Sequence, residues 1–167
     1  MEPAALIDHA KAILRSDKGK PKQIALRRAI SASYYSVYHA FLRAAADDLI
    51  GTNRMARKSA AYRLVYRAFE HADLQRFCEH ATKKQLPQRY VEVLRSETFD
   101  GTIRVAADRF VQLQKWRHVA DYDPQFRLTK SDALLAIEYA ITANAMFRNA
   151  PVDERRNFVL CMLVPPR

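Results

Sequence analysis

Glycine is nearly missing from this chain. Gly19, Gly51 and Gly101 are the only three in 167 residues, and each falls where a helical pattern stops. No segment alternates apolar and polar residues with the period of two that a half-buried strand needs, and alanine, leucine and arginine are abundant. The expected fold class is therefore all-α. Cysteine is equally sparse. Cys78 and Cys161 form no CxxC pair, which argues against a zinc site or a disulfide framework and fits a reducing cytoplasm. The longest apolar run, Phe158 to Val164, is too short to span a bilayer, and the opening MEPAALIDHAK lacks the basic-then-apolar pattern of a signal peptide. Neither an internal repeat, a low-complexity tract nor a long linker interrupts the sequence. We expect one domain over residues 1–167, cytoplasmic, with no membrane association.

Positive charge is in excess. The formal net charge of +10 points to an anionic partner, nucleic acid first, against the plainer reading of a solubilising surface. In chain order, the apolar spacing predicts a helix from about Pro3 to Arg15, with Leu6, Ala10 and Ile13 inward, then a loop over Ser16–Pro21. A long helix follows from about Lys22 to Ile50. Its stripe is Ile30, Tyr34, Val37 and Phe41, and the adjacent row of Ala29, Ser33, Ser36 and Ala40 is small enough for close helix approach. Tyr34, Tyr35 and Tyr38 read as packing residues with hydroxyls at the rim. Thr52 to Ser59 reads as a basic loop carrying Arg54, Arg57 and Lys58. A helical region from about Ala60 to Lys84 follows, with a break near His71 and Asp73 as a cap. Pro87 to Glu97 holds a short helix, and Thr102 is the expected cap of the next. Thr129-Lys-Ser-Asp132 resembles a capping box for a helix over Lys130–Asn149, with Leu134, Ile137, Ile141 and Ala145 inward. Pro151 opens a short C-terminal helix whose tail, FVLCMLV, must cover a core face or a partner.

The densest polar chemistry lies in Phe110–Pro124, FVQLQKWRHVADYDP. Ile103, Ala106, Phe110 and Leu113 share one helical face, and the next position on that face is Arg117, followed by Ala120. A guanidinium at a core position needs partners or a functional reason. Asp121 stands four residues on, within pairing reach. Asp-Tyr-Asp-Pro then ends the helix, because Pro124 disfavours helical geometry at Asp123.

Two segments resemble a known family. Arg27-Arg-Ala-Ile-Ser-Ala-Ser-Tyr-Tyr-Ser-Val-Tyr-His-Ala-Phe41 resembles the second-helix signature of HEPN domains, with Ser33 in place of alanine. Trp116-Arg-His-Val-Ala-Asp-Tyr-Asp-Pro124 resembles the RHxADYDP variant of uncharacterised bacterial HEPN-like proteins. The resemblance spans roughly Ile24 to Phe147, and its specific part is the two motifs. It implies an up-and-down antiparallel helical bundle, here with an additional short C-terminal helix, that forms homodimers. Many members are metal-independent ribonucleases, often toxins paired with a nucleotidyltransferase-type antitoxin. Their site is an arginine and a histidine with four to six residues between them at a helix end. The histidine handles protons at the RNA 2′-hydroxyl and the arginine holds the phosphate.

This chain departs from that pattern. Arg117 matches the motif arginine, but the histidine positions hold Tyr122, Asp123 and Pro124, and His118 is adjacent rather than displaced by a turn. The expectation is a module that binds RNA or a nucleotide without cleaving it, or only weakly. Its candidate contacts are Arg27, Arg28, Tyr35, His39, Arg54, Arg57, Lys58 and Arg117. The competing reading is an endoribonuclease using Arg117 with His118 or Tyr122. A third is purely structural, with Arg117, Asp121, Asp123 and Pro124 fixing a helix end and a dimer. A metal site of His118, Asp121 and Asp123 is disfavoured because the ligand set is incomplete and lies over one turn. A Ser-His-Asp hydrolase lacks its nucleophile-elbow glycines. No cofactor and no metal are expected.

Overall fold

The computed structural model describes residues 2–16 and 19–165. Asp17 and Lys18 of the expected Ser16–Pro21 loop lie outside the described residues. The described chain is all-α. Its elements are α1 (Pro3–Ser16), α2 (Gln23–Ile50), α3 (Arg54–Lys58), α4 (Ala60–Tyr66), α5 (His71–Ala81), α6 (Gln88–Leu94), α7 (Gly101–Tyr122), α8 (Lys130–Asn149) and α9 (Val152–Leu163).

Four of them, α1, α2, α7 and α8, form an up-and-down bundle around α2. Cross-links fix the directions. Glu2 and Pro3 at the start of α1 bond Arg43 and Ser36 in the middle and second half of α2, whereas α1 ends at Ser16 only seven residues before α2 begins at Gln23, so the two helices run antiparallel. Tyr34 meets Gln114 and Arg27 meets Ala120, so α7 is antiparallel to α2 as well. Gln23 grips Leu128 just before α8, and Ser36 accepts from Asn144 within it, so α8 runs parallel to α2.

The small row of α2 does what its residues permit. Ala29, Ser33 and Ser36 are fully buried. Ser33 Oγ turns back onto the Ala29 carbonyl at 2.8 Å, while Ser36 Oγ donates to Pro3 O (2.7 Å) and accepts from Asn144 Nδ2 (2.8 Å). A single hydroxyl thus ties α1, α2 and α8 at their closest approach. On the other side, Phe41 touches Phe110, Phe147 and Phe158 at ring-centroid distances of 5.5, 4.8 and 5.0 Å, joining α2 to α7, α8 and α9. The C-terminal tail covers this core: Phe158, Val159, Cys161 and Met162 are buried and Leu160 and Val164 are exposed. Both cysteines are buried and free, and burial pushes the Cys161 thiol up to about 11.

Several local expectations need correction. The inward face of α8 is Ala133, Ala136, Ile137, Ala140, Ala143 and Phe147, whereas Leu134 and Ile141 are exposed. Alanines face α2 because the serine row opposite brings the backbones together, and a leucine there would hold them apart. Arg54–Lys58 is a short helix capped by Asn53, whose side chain accepts from Ala56 N, not a loop. The break after α4 falls at residues 67–70, so Asp73 is in the first turn of α5 rather than its cap. The cap of α7 is Asp100, which accepts from Thr102 N, not Thr102 itself. The Thr129–Asp132 capping box forms as expected, with both reciprocal bonds present.

Truncating Phe41 to alanine removes the ring on which four helices converge. The F41A variant should lose about 3–5 kcal/mol in urea unfolding, whereas L160A on the exposed face should change by less than about 0.5 kcal/mol.

Candidate functional site

The site begins with the end of α7. Its last carbonyls cannot bond within the helix, and Arg27 in the second turn of α2 collects them. Its Nη1 donates to Ala120 O at 2.7 Å and Val119 O at 3.4 Å, and its Nη2 donates to Asp123 O and Phe126 O, both at 2.8 Å. The guanidinium therefore sits at the negative pole of α7. Asp123 completes the turn, its carboxylate accepting from Gln125 N and Phe126 N. Pro124 follows, where the helix has ended at Tyr122.

Arg117 lies one turn earlier, with its side chain only 16% exposed. Its Nε is 2.7 Å from Asp121 Oδ2, close enough for an ion pair but out of line for a hydrogen bond. Its Nη2 donates weakly to Tyr35 Oη at 3.3 Å and Tyr122 Oη at 3.5 Å. The guanidinium carbon lies 5.2 Å from the Tyr122 ring centroid and 5.9 Å from those of Tyr34 and Tyr35. Burial works against its charge, but Tyr35 and Asp121 outweigh burial and hold Arg117 above the usual arginine range. The other oxygen of Asp121 accepts from Ser31 Oγ at 2.6 Å, tying the pair back to α2. Nη1 has no acceptor among the described residues.

Beside this pair runs an open groove of about 820 Å³, lined by Arg27, Arg28, Ser31, Asp121 and Tyr122. Arg28 is exposed on its edge. His118 is exposed too, its ring 5.1 Å from that of Tyr122. His118, Asp121 and Asp123 hold no cation together, since no group of three metal-ligating side chains is gathered among the described residues.

Behind Arg117 lies a cluster that sequence reasoning missed. Tyr34 Oη donates to Gln114 Oε1 (3.1 Å), Gln114 Nε2 donates to His71 O (3.1 Å), and His71 Nδ1 is 2.6 Å from Tyr34 Oη. His71 Nδ1 is thus engaged by Tyr34 Oη, and which of the two carries the shared proton depends on the histidine tautomer. Burial and then Arg117 lower the His71 pKa, so the ring is neutral near pH 7. Burial also drives the Tyr34 phenol far above its ordinary value. The tyrosine hydroxyls are bonded inward rather than left at the rim: Tyr38 donates to Phe69 O at 2.8 Å. His39 packs between Tyr35 and Tyr66 and contacts Tyr66 Oη at 3.0 Å.

The remaining predicted contacts are elsewhere. Arg57 is bound to Asp47 through two bonds of 3.1 and 2.8 Å, and Arg54 and Lys58 are exposed beside it. Asp47 is sixteen residues from Ser31 along α2, about 24 Å at the helical rise per residue. The predicted contacts thus divide: Arg27, Arg28, Tyr35 and Arg117 gather with Tyr122 and His118, His39 stacks behind Tyr35, and Arg54, Arg57 and Lys58 lie apart. Among the described residues no helix is long and apolar enough to cross a membrane. No family model matches the chain, and no match was found among curated proteins or solved structures.

Two outcomes follow from this geometry. Replacing Arg27 by alanine strands the carbonyls at the end of α7 and should cost about 2–3 kcal/mol in urea unfolding, whereas R28A should be within about 0.5 kcal/mol of wild type. The pH dependence follows from His39, His71 and His80, all of which have lowered pKa values with burial as the leading cause. The unfolded chain then binds protons that the folded one refuses. Stability should be full above the unfolded histidine pKa of about 6.5 and fall as pH drops below it. Thermal melts between about pH 8 and pH 5 check this, and H71N should flatten the acid limb.

Proposed function

We propose that this chain is a HEPN-like module that binds RNA or a nucleotide at the Arg117 groove without cleaving it. The observation that carries the reading is the state of the Arg117 side chain. It is held through Nε and Nη2 against Asp121 and Tyr122, both of which line the open groove, and its Nη1 has no acceptor among the described residues. A guanidinium held this way is pre-set for a phosphate oxygen, and Tyr122 offers a face for a base to stack on. Arg28 adds a second cation at the groove. Arg27 adds a third whose charge carbonyl oxygens solvate but do not cancel. Asp121 opposes this field, which favours a phosphate approaching from the Nη1 side.

A second reading, a metal-independent endoribonuclease, is favoured by one observation: the His71 imidazole, its pKa lowered by burial, is linked to the Arg117 surroundings through Tyr34. A homodimer and a nucleotidyltransferase-type partner belong to the same proposal through the family resemblance alone.

The test is a titration of labelled single-stranded RNA at two salt concentrations, with the RNA then run on a gel. R117A should weaken binding by about tenfold or more and reduce the salt slope by roughly 0.7. R117A must also keep a thermal midpoint within a few degrees of wild type. Intact RNA supports the binding module, whereas cleavage lost in both R117A and H71N would establish the nuclease. Unchanged binding in a folded R117A variant would leave Arg117 as architecture only.

A further inference from the structure

A separate cavity of about 280 Å³ opens between α5, α6 and the end of α9. α5 supplies Asp73, Arg76, Phe77 and His80, which recur at three- and four-residue spacing on one helical face. Tyr90 and Met162 contribute apolar walls from the other two helices. The charges here are not balanced. Arg76 is committed to Asp73, its i−3 neighbour, in a close ion pair. Arg89 has no carboxylate partner among the described residues, and its guanidinium carbon lies 5.4 Å from the Tyr90 ring centroid. Across the same tyrosine stands His80, its ring 5.7 Å from that of Tyr90.

The Nδ1 atom of His80 is buried with no hydrogen-bond partner. Nδ1 is thus enclosed by the protein, which leaves Nε2 as the ring nitrogen open to a ligand. Burial first, then Lys83 and Arg89, resist a second proton, and only Glu79 opposes them. The cavity therefore combines aromatic and thioether walls, a guanidinium without a carboxylate partner among the described residues, and the His80 ring. Its one lining carboxylate is already engaged. Concave, largely apolar sites with a few convergent polar groups are the ordinary form of a small-ligand pocket.

We propose that this cavity binds a small organic anion: a single-ring apolar body with a carboxylate or phosphate head. Arg89 and His80 receive the head, and Phe77, Tyr90 and Met162 enclose the body. The volume lies near the lower end for ligand pockets and limits the body to about one ring. The site is independent of the Arg117 groove and shares no residue with it.

The test uses the full chain and follows the His80 Cε1–H resonance, assigned by its disappearance in H80N, during titration with benzoate, phenyl phosphate and benzylamine. Benzoate or phenyl phosphate should shift the resonance saturably, and the stronger of the two identifies the head group. Benzylamine should not saturate. R89Q should weaken the anion by about tenfold or more while R76Q changes it less than about threefold, with thermal midpoints near wild type. Bound anion should also raise the apparent His80 pKa, since each ligand favours the other by the same factor. The proposal is overturned if neither anion saturates the shift by roughly 10 mM, a Kd weaker than about 3 kcal/mol of binding. Equal response to benzylamine, or unchanged affinity in R89Q, overturns it as well.

Discussion

The last turn of an α-helix leaves carbonyl oxygens that nothing inside the helix can satisfy. In α7 those oxygens face α2, and Arg27 takes four carbonyl oxygens from this turn and the connector with two nitrogens. The rest of the bundle depends on that arrangement. It sets the register between the two longest helices, which puts Phe41 against Phe110 and Tyr34 against Gln114. It also holds the 123–126 turn where Arg117, Tyr122 and Asp121 meet Tyr35 and Ser31. Arg27 is committed to backbone, whereas Arg117, on the last two turns of α7, keeps Nη1 without an acceptor among the described residues.

Positive charge is distributed to different ends of the molecule with different consequences. At one end of α2, Asp47 gathers Arg43, Arg57 and the hydroxyl of Tyr62 onto a single carboxylate, and burial followed by that hydrogen bond pushes the Tyr62 phenol up to about 12. Of the three α3 cations only Arg57 is tied to this carboxylate, and Arg54 and Lys58 remain in solvent. At the other end, Asp121 is shared between Ser31 and Arg117, and Arg28 is unpaired among the described residues. A net charge says nothing of this division; only the positions of the few carboxylates do.

Much of the frame was legible because its signals are local. Pro124 and the Thr129–Asp132 box mark the α7–α8 boundary in the sequence, and the Ala29–Ser33–Ser36 row marks a close approach before any partner is known. The position of Arg117 on an apolar stripe, and its pairing with Asp121, were readable from spacing. What was not legible had non-local causes. The inward face of α8 is chosen by the serines of α2, so Leu134 and Ile141 give way to alanines. The anchoring role of Arg27 on the end of α7 has no local signal, because its carbonyl partners lie more than ninety residues away. His71 enters the Arg117 neighbourhood through Tyr34 and Gln114, at separations of 37 and 43 residues that no periodicity reports.

The connector between α7 and α8 is tied down along its length. Gln125 N and Phe126 N bond Asp123, Leu128 N and O are both gripped by Gln23, and Thr129 N bonds Asp132. A surface segment normally exchanges its amide hydrogens freely, but these are tied as securely as a helical turn. The rim of the Arg117 groove is therefore ordered before anything arrives. A guest would not have to bear the entropy of freezing it, and more of each new contact would register as affinity.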